Sequence, residues 1–278
     1  MQIELHDTSL TKYGKIHRMK TNISALALAL SCAALAGCFA NKEKPVGVPA
    51  VRSLAELKAT NRAEVVRILL RGSAEKLDAA ALADLPALKV LDISEMKLAE
   101  VPPAIAKLAT LEHLYLVRNN LKTLPDFVAA LPKLTYLNLD GNALTALPDS
   151  IGNAAELKWL RVNGNQLTGL PVSVARLQKL RRVYLRQNRL AAVPEALKDL
   201  PLLEDISLDA NAITTVPDWL VKMPALRNVS FSGCPVTKLP DDLAGWQHLT
   251  TLTLANCPIA ADEMKRIRAA LPKVSIVF

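Results

Sequence analysis

Cysteine and histidine are the residues best suited to nucleophilic or metal chemistry, and this 278-residue chain holds four of each. Their distribution works against both uses. His6 and His17 stand near the N-terminus, leaving only His113 and His248, far apart, in the remainder. A cluster of histidine ligands is therefore not available. The chain has no GxSxG turn, HExxH helix, Walker loop or CxxC pair. Asp140 and Asp209 could be drawn into an acid–base pair, but outward carboxylates on a regular surface are expected to be solvated. The expectation is a binding protein with no catalytic residues, no metal and no cofactor.

A second set of residues suits recognition instead. His113, Tyr136, Trp159 and Arg182 follow one another at intervals of 23 residues, and so do Tyr115 with Asn138, Arg161 and Tyr184. Arg186 follows closely. Tyr, Trp and Arg are enriched in binding hot spots, where one anchor can be worth ~2 kcal/mol or more. The expected site is centred on Tyr136, Trp159, Arg182 and Tyr184, with His113, Tyr115, Arg161 and Arg186 around it. A structural reading competes with it: rings at outward strand positions can simply pair across a sheet.

The interval itself identifies the elements that position these groups. With Leu111 as position 1, leucine recurs there as Leu88, Leu134, Leu157, Leu180, Leu203, Leu226 and Leu249. Position 6 is apolar in each unit, and position 15 is proline from Pro102 through Pro240. Positions 4 and 6 alternate as a strand does, so their side chains face inward while 3, 5 and 7 face out. The amides at position 9 (Asn119, Asn142, Asn165, Asn188 and Asn211) each carry two donors and an acceptor, enough to satisfy backbone groups of adjacent turns. Proline at 15 followed by an acid at 16, as in Pro125-Asp126, is a helix-start signal. The chain is 51% hydrophobic but only 4% aromatic, which suits many similar aliphatic layers and excludes a disordered protein.

The pattern resembles the leucine-rich repeat family in its 23-residue LxxLxLxxNxLxxLPxxLxxL form, over about residues 65–278. The resemblance implies an α/β solenoid: a horseshoe with a parallel β-sheet on the concave face and short helices or turns on the convex face. It also implies a protein partner bound on the concave side. Segment 52–87 reads as an N-terminal cap beginning at Ser53-Leu54-Ala55-Glu56, then a degenerate first repeat with Ser73 in the asparagine slot. Residues 88–260 are the repeats, and 261–278 a capping helix and final strand. Cys234 and Cys257 both occupy position 9. They serve either as small buried members of the asparagine ladder or as a disulfide between turns.

The N-terminus carries an address. Residues 1–37 form a signal region with its true start at Met19: one Lys, an apolar run, then small residues before Cys38. Leu35-Ala36-Gly37-Cys38 resembles the lipobox of bacterial lipoproteins, which implies lipidation at Cys38 and a membrane anchor. An ordinary signal peptide with an incidental cysteine is the other reading. Phe39, in place of aspartate, points in that family to the outer membrane. Residues 38–51 read as a tether. Residues 1–37 hold four Lys/Arg and two acids, so their removal lowers the charge from +8 to +6. That charge, with Arg161, Arg182 and Arg186, makes an anionic envelope glycan, a lipid or lipopolysaccharide the alternative ligand on the concave face. Export removes the case for nucleic acid.

Overall fold

The computed structural model describes residues 49–278, apart from 74–76, 78 and 79. The signal region, Cys38 and the first part of the tether lie outside the described residues.

Ten strands form one parallel sheet in strict chain order. They are β1 (Arg67–Leu69), β2 (Val90–Asp92), β3 (His113–Tyr115), β4 (Tyr136–Asn138) and β5 (Trp159–Arg161), followed by β6 (Arg182–Tyr184), β7 (Asp205–Ser207), β8 (Asn228–Ser230), β9 (Thr251–Thr253) and β10 (Ser275–Val277). From β1 to β9 the register advances by one period per strand, so Tyr136 pairs with Trp159 and Trp159 with Arg182. Each strand from β1 to β9 covers positions 3 to 5, and position 4 is enclosed there, whereas Ile276 at the centre of β10 is half-buried. Position 1 leucines from Leu88 to Leu226 have no exposed surface. The core is thus a stack of equivalent aliphatic layers, each stable only against its neighbours.

Short strands need a sharp exit. At position 8 every turn takes a left-handed backbone: Gly72, Gly141, Gly164 and Gly233 have φ between 61° and 70°, and Glu95, Arg118, Gln187, Ala210 and Asn256 between 50° and 59°. Glycine accepts this conformation without the steric cost that an L side chain incurs. The convex return is a single 3-10 turn in most repeats, such as Asp126–Ala130 and Asp149–Asn153, and becomes the short α2 (Asp218–Val221) in one. Proline at position 15 stands at the cap of these turns, extended, with ψ 153° at Pro148.

The asparagine ladder behaves as the amide chemistry requires. Asn142 Nδ2 donates to the carbonyls of Leu116 and Leu139, each at 2.9 Å, while its Oδ1 accepts from Leu121 N at 3.2 Å. Asn165, Asn188 and Asn211 repeat this geometry one turn on, and Asn119 makes it toward Ile93. Cys234 and Cys257 continue the ladder as free thiols, donating to Leu208 O and Phe231 O at 3.2 Å. No disulfide joins them. Burial pushes both thiols up, Cys257 to about 11.

Both ends are closed. Helix α1 (Leu54–Ala59) starts at Ser53, whose hydroxyl accepts from Glu56 N at 3.0 Å. Val51 belongs to the fold and not to the tether: it is buried, pairs with Ile68, and exchanges backbone bonds with Arg67 and Leu69. Its bonds satisfy the edge of β1, which explains the shift of the boundary. Arg62 donates to the carbonyls of Ala80, Ala81 and Ala83, tying the degenerate first repeat to the cap. At the other end α3 (Ala261–Ala270) sets Glu263 to accept from Leu239 N at 2.9 Å. Arg266 grips both oxygens of Glu263 at 2.8 Å and donates to the carbonyls of Leu239, Pro240 and Asp241.

Candidate functional site

Positions 3 and 5 of successive strands form two columns on the outer side of the sheet. Because the strands are parallel and in register, groups 23 residues apart become direct neighbours. His113 lies 5.7 Å from Tyr136, Tyr115 4.9 Å from Tyr136, and Tyr136 5.5 Å from Trp159, all tilted. Arg182 caps the Trp159 ring at 4.5 Å, and Arg161 lies 5.1 Å over Tyr184. Four rings and the Arg182 guanidinium therefore form one continuous stack from β3 to β6, with the Arg161–Tyr184 pair on the same two strands, β5 and β6.

Acidic groups close the stack. Arg161 pairs with Asp140 at 2.8 Å, and Arg182 Nε pairs with Asp205 at 3.0 Å. Asp205 is 4% exposed and accepts a further bond from Asn228 Nδ2 at 2.5 Å. Burial raises the Asp205 carboxyl above the ordinary aspartate value, opposed by the Asn228 bond and the Arg182 charge. Burial also pushes the phenols of Tyr115 and Tyr184 up to about 12 and raises Tyr136, so all three remain protonated. The patch offers the half-buried rings of His113, Tyr115, Trp159 and Tyr184, and its arginines are held in place by carboxylates and rings.

Seven of the eight residues expected for the site stand at positions 3 and 5 and are brought together, whereas Arg186 stands at position 7, where its backbone N donates to Asn163 Oδ1. Two adjustments follow from the geometry. Tyr136, expected at the centre of contact, is only 8% exposed because His113, Tyr115 and Trp159 surround it. It supports the patch more than it displays itself. Position 7, expected to be free, is largely structural. Asp140 Oδ1 accepts from Asn163 N, Asn163 Oδ1 from Arg186 N, and Asp209 Oδ1 from Ser232 N, at 2.8 to 2.9 Å. Asp209 is also bonded by the hydroxyls of Ser207 and Ser230. These carboxylates are committed to the fold, which leaves Asp140 and Asp209 unsuited to acid–base work.

Sequence reasoning missed the second ladder at position 7 and the part played by Asp205. A signal existed for the first: Ser94, Asp140, Asn163, Asp209 and Ser232 are all short and polar at that slot. Among the described residues no group of three or more His, Cys, Asp or Glu is placed to hold a metal. No described helix is long and apolar enough to cross a membrane.

A one-period-per-strand parallel sheet, amide ladder and convex turns define a leucine-rich repeat solenoid, a fold that serves as a protein-interaction scaffold. Residues 127–231 match the family described as "Leucine-rich repeat region". No curated protein matches the sequence. Among solved structures, a leucine-rich repeat protein of Leptospira interrogans shares 26% identity with a TM-score of 0.52, over 82% of this chain and 69% of that one. An internalin from Listeria monocytogenes shares 23% with a TM-score of 0.68, over 81% of this chain and 64% of the other. The leucine-rich repeat ectodomain of the plant membrane receptor kinase GASSHO1/SCHENGEN3 from Arabidopsis thaliana, in complex with Casparian strip integrity factor 2, shares 22% with a TM-score of 0.65. There the match covers 82% of this chain but 28% of that one.

Proposed function

We propose that this protein is a non-enzymatic, lipid-anchored recognition protein of a bacterial cell envelope, tethered through Cys38 to the outer membrane, whose concave face binds a protein partner. The observation that carries the reading is the stacked patch running from His113 through Tyr136 and Trp159 to Arg182. Neighbouring rings and ion pairs hold these side chains before any partner arrives, and such preorganisation lowers the entropic cost of association. Nothing in the aliphatic core requires rings at these positions. The partner therefore meets a rigid surface of the composition found in hot spots.

The alternative of an anionic glycan or lipid on the same face is weakened by Asp140 and Asp205. Their carboxylates already neutralise Arg161 and Arg182. Substituting Trp159 and Tyr184 by alanine is expected to leave thermal unfolding nearly unchanged while reducing capture of the partner in a pull-down from envelope extract. A photoreactive residue at 159 identifies what is captured in intact cells. Unchanged capture by the double variant, or capture abolished by moderate salt, counts against a protein bound on this face.

A further inference from the structure

Arginine enters the columns at positions 3 and 5 as Arg67, Arg161 and Arg182. Arg161 is paired with Asp140 and Arg182 with Asp205, so each finds its carboxylate one turn away. Arg67, at position 3 of β1, does not. Among the described residues it forms no ion pair, and its enclosed Nε has no acceptor. Asp92, on the next strand, stands in the other column and its Oδ1 accepts from Ser94 N at 3.0 Å.

The Arg67 side chain is half-buried, and the register sets it beside Val90, an outward residue left only 7% exposed between Arg67 and His113. An aliphatic stem is enough to shelter Val90, so that role does not call for a guanidinium. An enclosed N–H without an acceptor costs free energy, and the sheet offers this one no partner. The charge also reaches the aromatic patch. Burial raises the Tyr115 phenol, and Arg67 is among the cations that oppose the shift.

We propose that Arg67 is the acid-recognising subsite of the concave face, and that the partner segment bound there carries an aspartate or glutamate near a large apolar residue. The inference rests on the reading of this face as a protein-binding surface. Arg161 and Arg182 do not fill the role, because Asp140 and Asp205 already hold them. A carboxylate arriving at Arg67 meets a planar donor group at the border of a ring surface, where a charge-assisted pair is strong and directional. The fold also sets the spacing. Two strand steps separate Arg67 on β1 from His113 and Tyr115 on β3, roughly 10 Å at ~4.8 Å per step. An extended segment crossing the strands covers that distance in about three residues, so the acid and the apolar residue stand about three positions apart.

The probe is a phage-displayed library of random peptides selected on the whole chain, with the selected sequences then made as soluble peptides. Expected are peptides with Asp or Glu about three positions from Trp, Phe or Leu. Replacing that acid by its amide should weaken binding to the parent by on the order of tenfold, and hardly change binding to Arg67→Gln. Arg67→Lys should keep a weakened preference for the acid. The Arg67 side chain has no hydrogen bond to lose, so both variants should melt as the parent does. Peptides that need Trp159 but bind equally as acid and amide overturn this proposal and leave the concave-face reading standing. Selection of no peptide, or of peptides indifferent to both Trp159→Ala and Arg67→Gln, overturns the two together.

Discussion

Arg182 lies over the Trp159 ring at 4.5 Å while its Nε pairs with the buried Asp205 carboxylate at 3.0 Å, so one side chain joins the aromatic half of the face to its polar half. Removing it affects both neighbours. Arg182→Ala uncovers the indole and leaves a buried carboxylate without its cation, a change expected to cost about 2 kcal/mol at neutral pH. The pH dependence has a definite sign. The Asp205 carboxyl is raised in the folded state, so its contribution favours folding at low pH and is lost as pH rises through the folded value. The variant's deficit should shrink as pH falls through the raised folded value, above the ordinary 3.8, where Asp205 becomes neutral. Chemical denaturation at neutral and acid pH measures it; a deficit independent of pH would contradict the ion pair.

Asn165 is 7% exposed and satisfies Leu139 O, Val162 O and Leu144 N at once. Asn165→Ala leaves Leu144 N without its acceptor and strips one of two amide donors from the Leu139 and Val162 carbonyls, which keep Asn142 and Asn188 Nδ2. A loss of about 2–4 kcal/mol is expected, with hydrogen exchange of the Leu144 amide accelerated. A loss below about 0.5 kcal/mol would mean that the turns do not depend on the ladder.

Cys234 and Cys257 should behave as inert, reduced thiols. With Cys257 pushed up to about 11, the thiolate is only about one part in a thousand at pH 8. Alkylation of the native protein should be slow at both positions and become complete on unfolding. Rapid native labelling, or a non-reduced mass two hydrogens lighter, would refute the assignment.

The clasp between Glu263 and Arg266 closes the C-terminal end, and Glu263→Gln should loosen it by about 1–2 kcal/mol at pH 7. The Arg266 bond, opposed by desolvation and aided by Leu239 N, holds the Glu263 carboxyl below its ordinary value of 4.5. Its contribution is therefore present above that value and lost as pH falls through the lower folded one. The difference between variant and parent should vanish in strong acid. Melting curves at both pH values decide the matter.

Much of this architecture was readable from the chain. The leucines at position 1, the amides at position 9 and the prolines at position 15 each have one physical job, and repetition makes these jobs visible eight, five and seven times over. The terminal caps were visible for the same reason, since Ser53 and the helix 261–270 interrupt the pattern where a stack must end. Val51 was not, because a single valine before a cap carries no periodic mark of its pairing with Ile68. Nor was the second ladder at position 7, where Val117 and Arg186 interrupt the run of short polar residues.

The face divides along the same line. Periodicity by itself determined that His113, Tyr115, Tyr136, Trp159, Arg161, Arg182 and Tyr184 point away from the core, because strand alternation depends only on position within the repeat. Tertiary structure decided what they do to one another. Unslipped register sets residues one period apart side by side, within 4.5–5.7 Å where rings and guanidinium groups meet. At that distance Tyr136 is enclosed and Arg161 and Arg182 are claimed by Asp140 and Asp205. A linear sequence records the direction of each side chain, but solvent exposure and charge compensation depend on the neighbours that only the stack supplies.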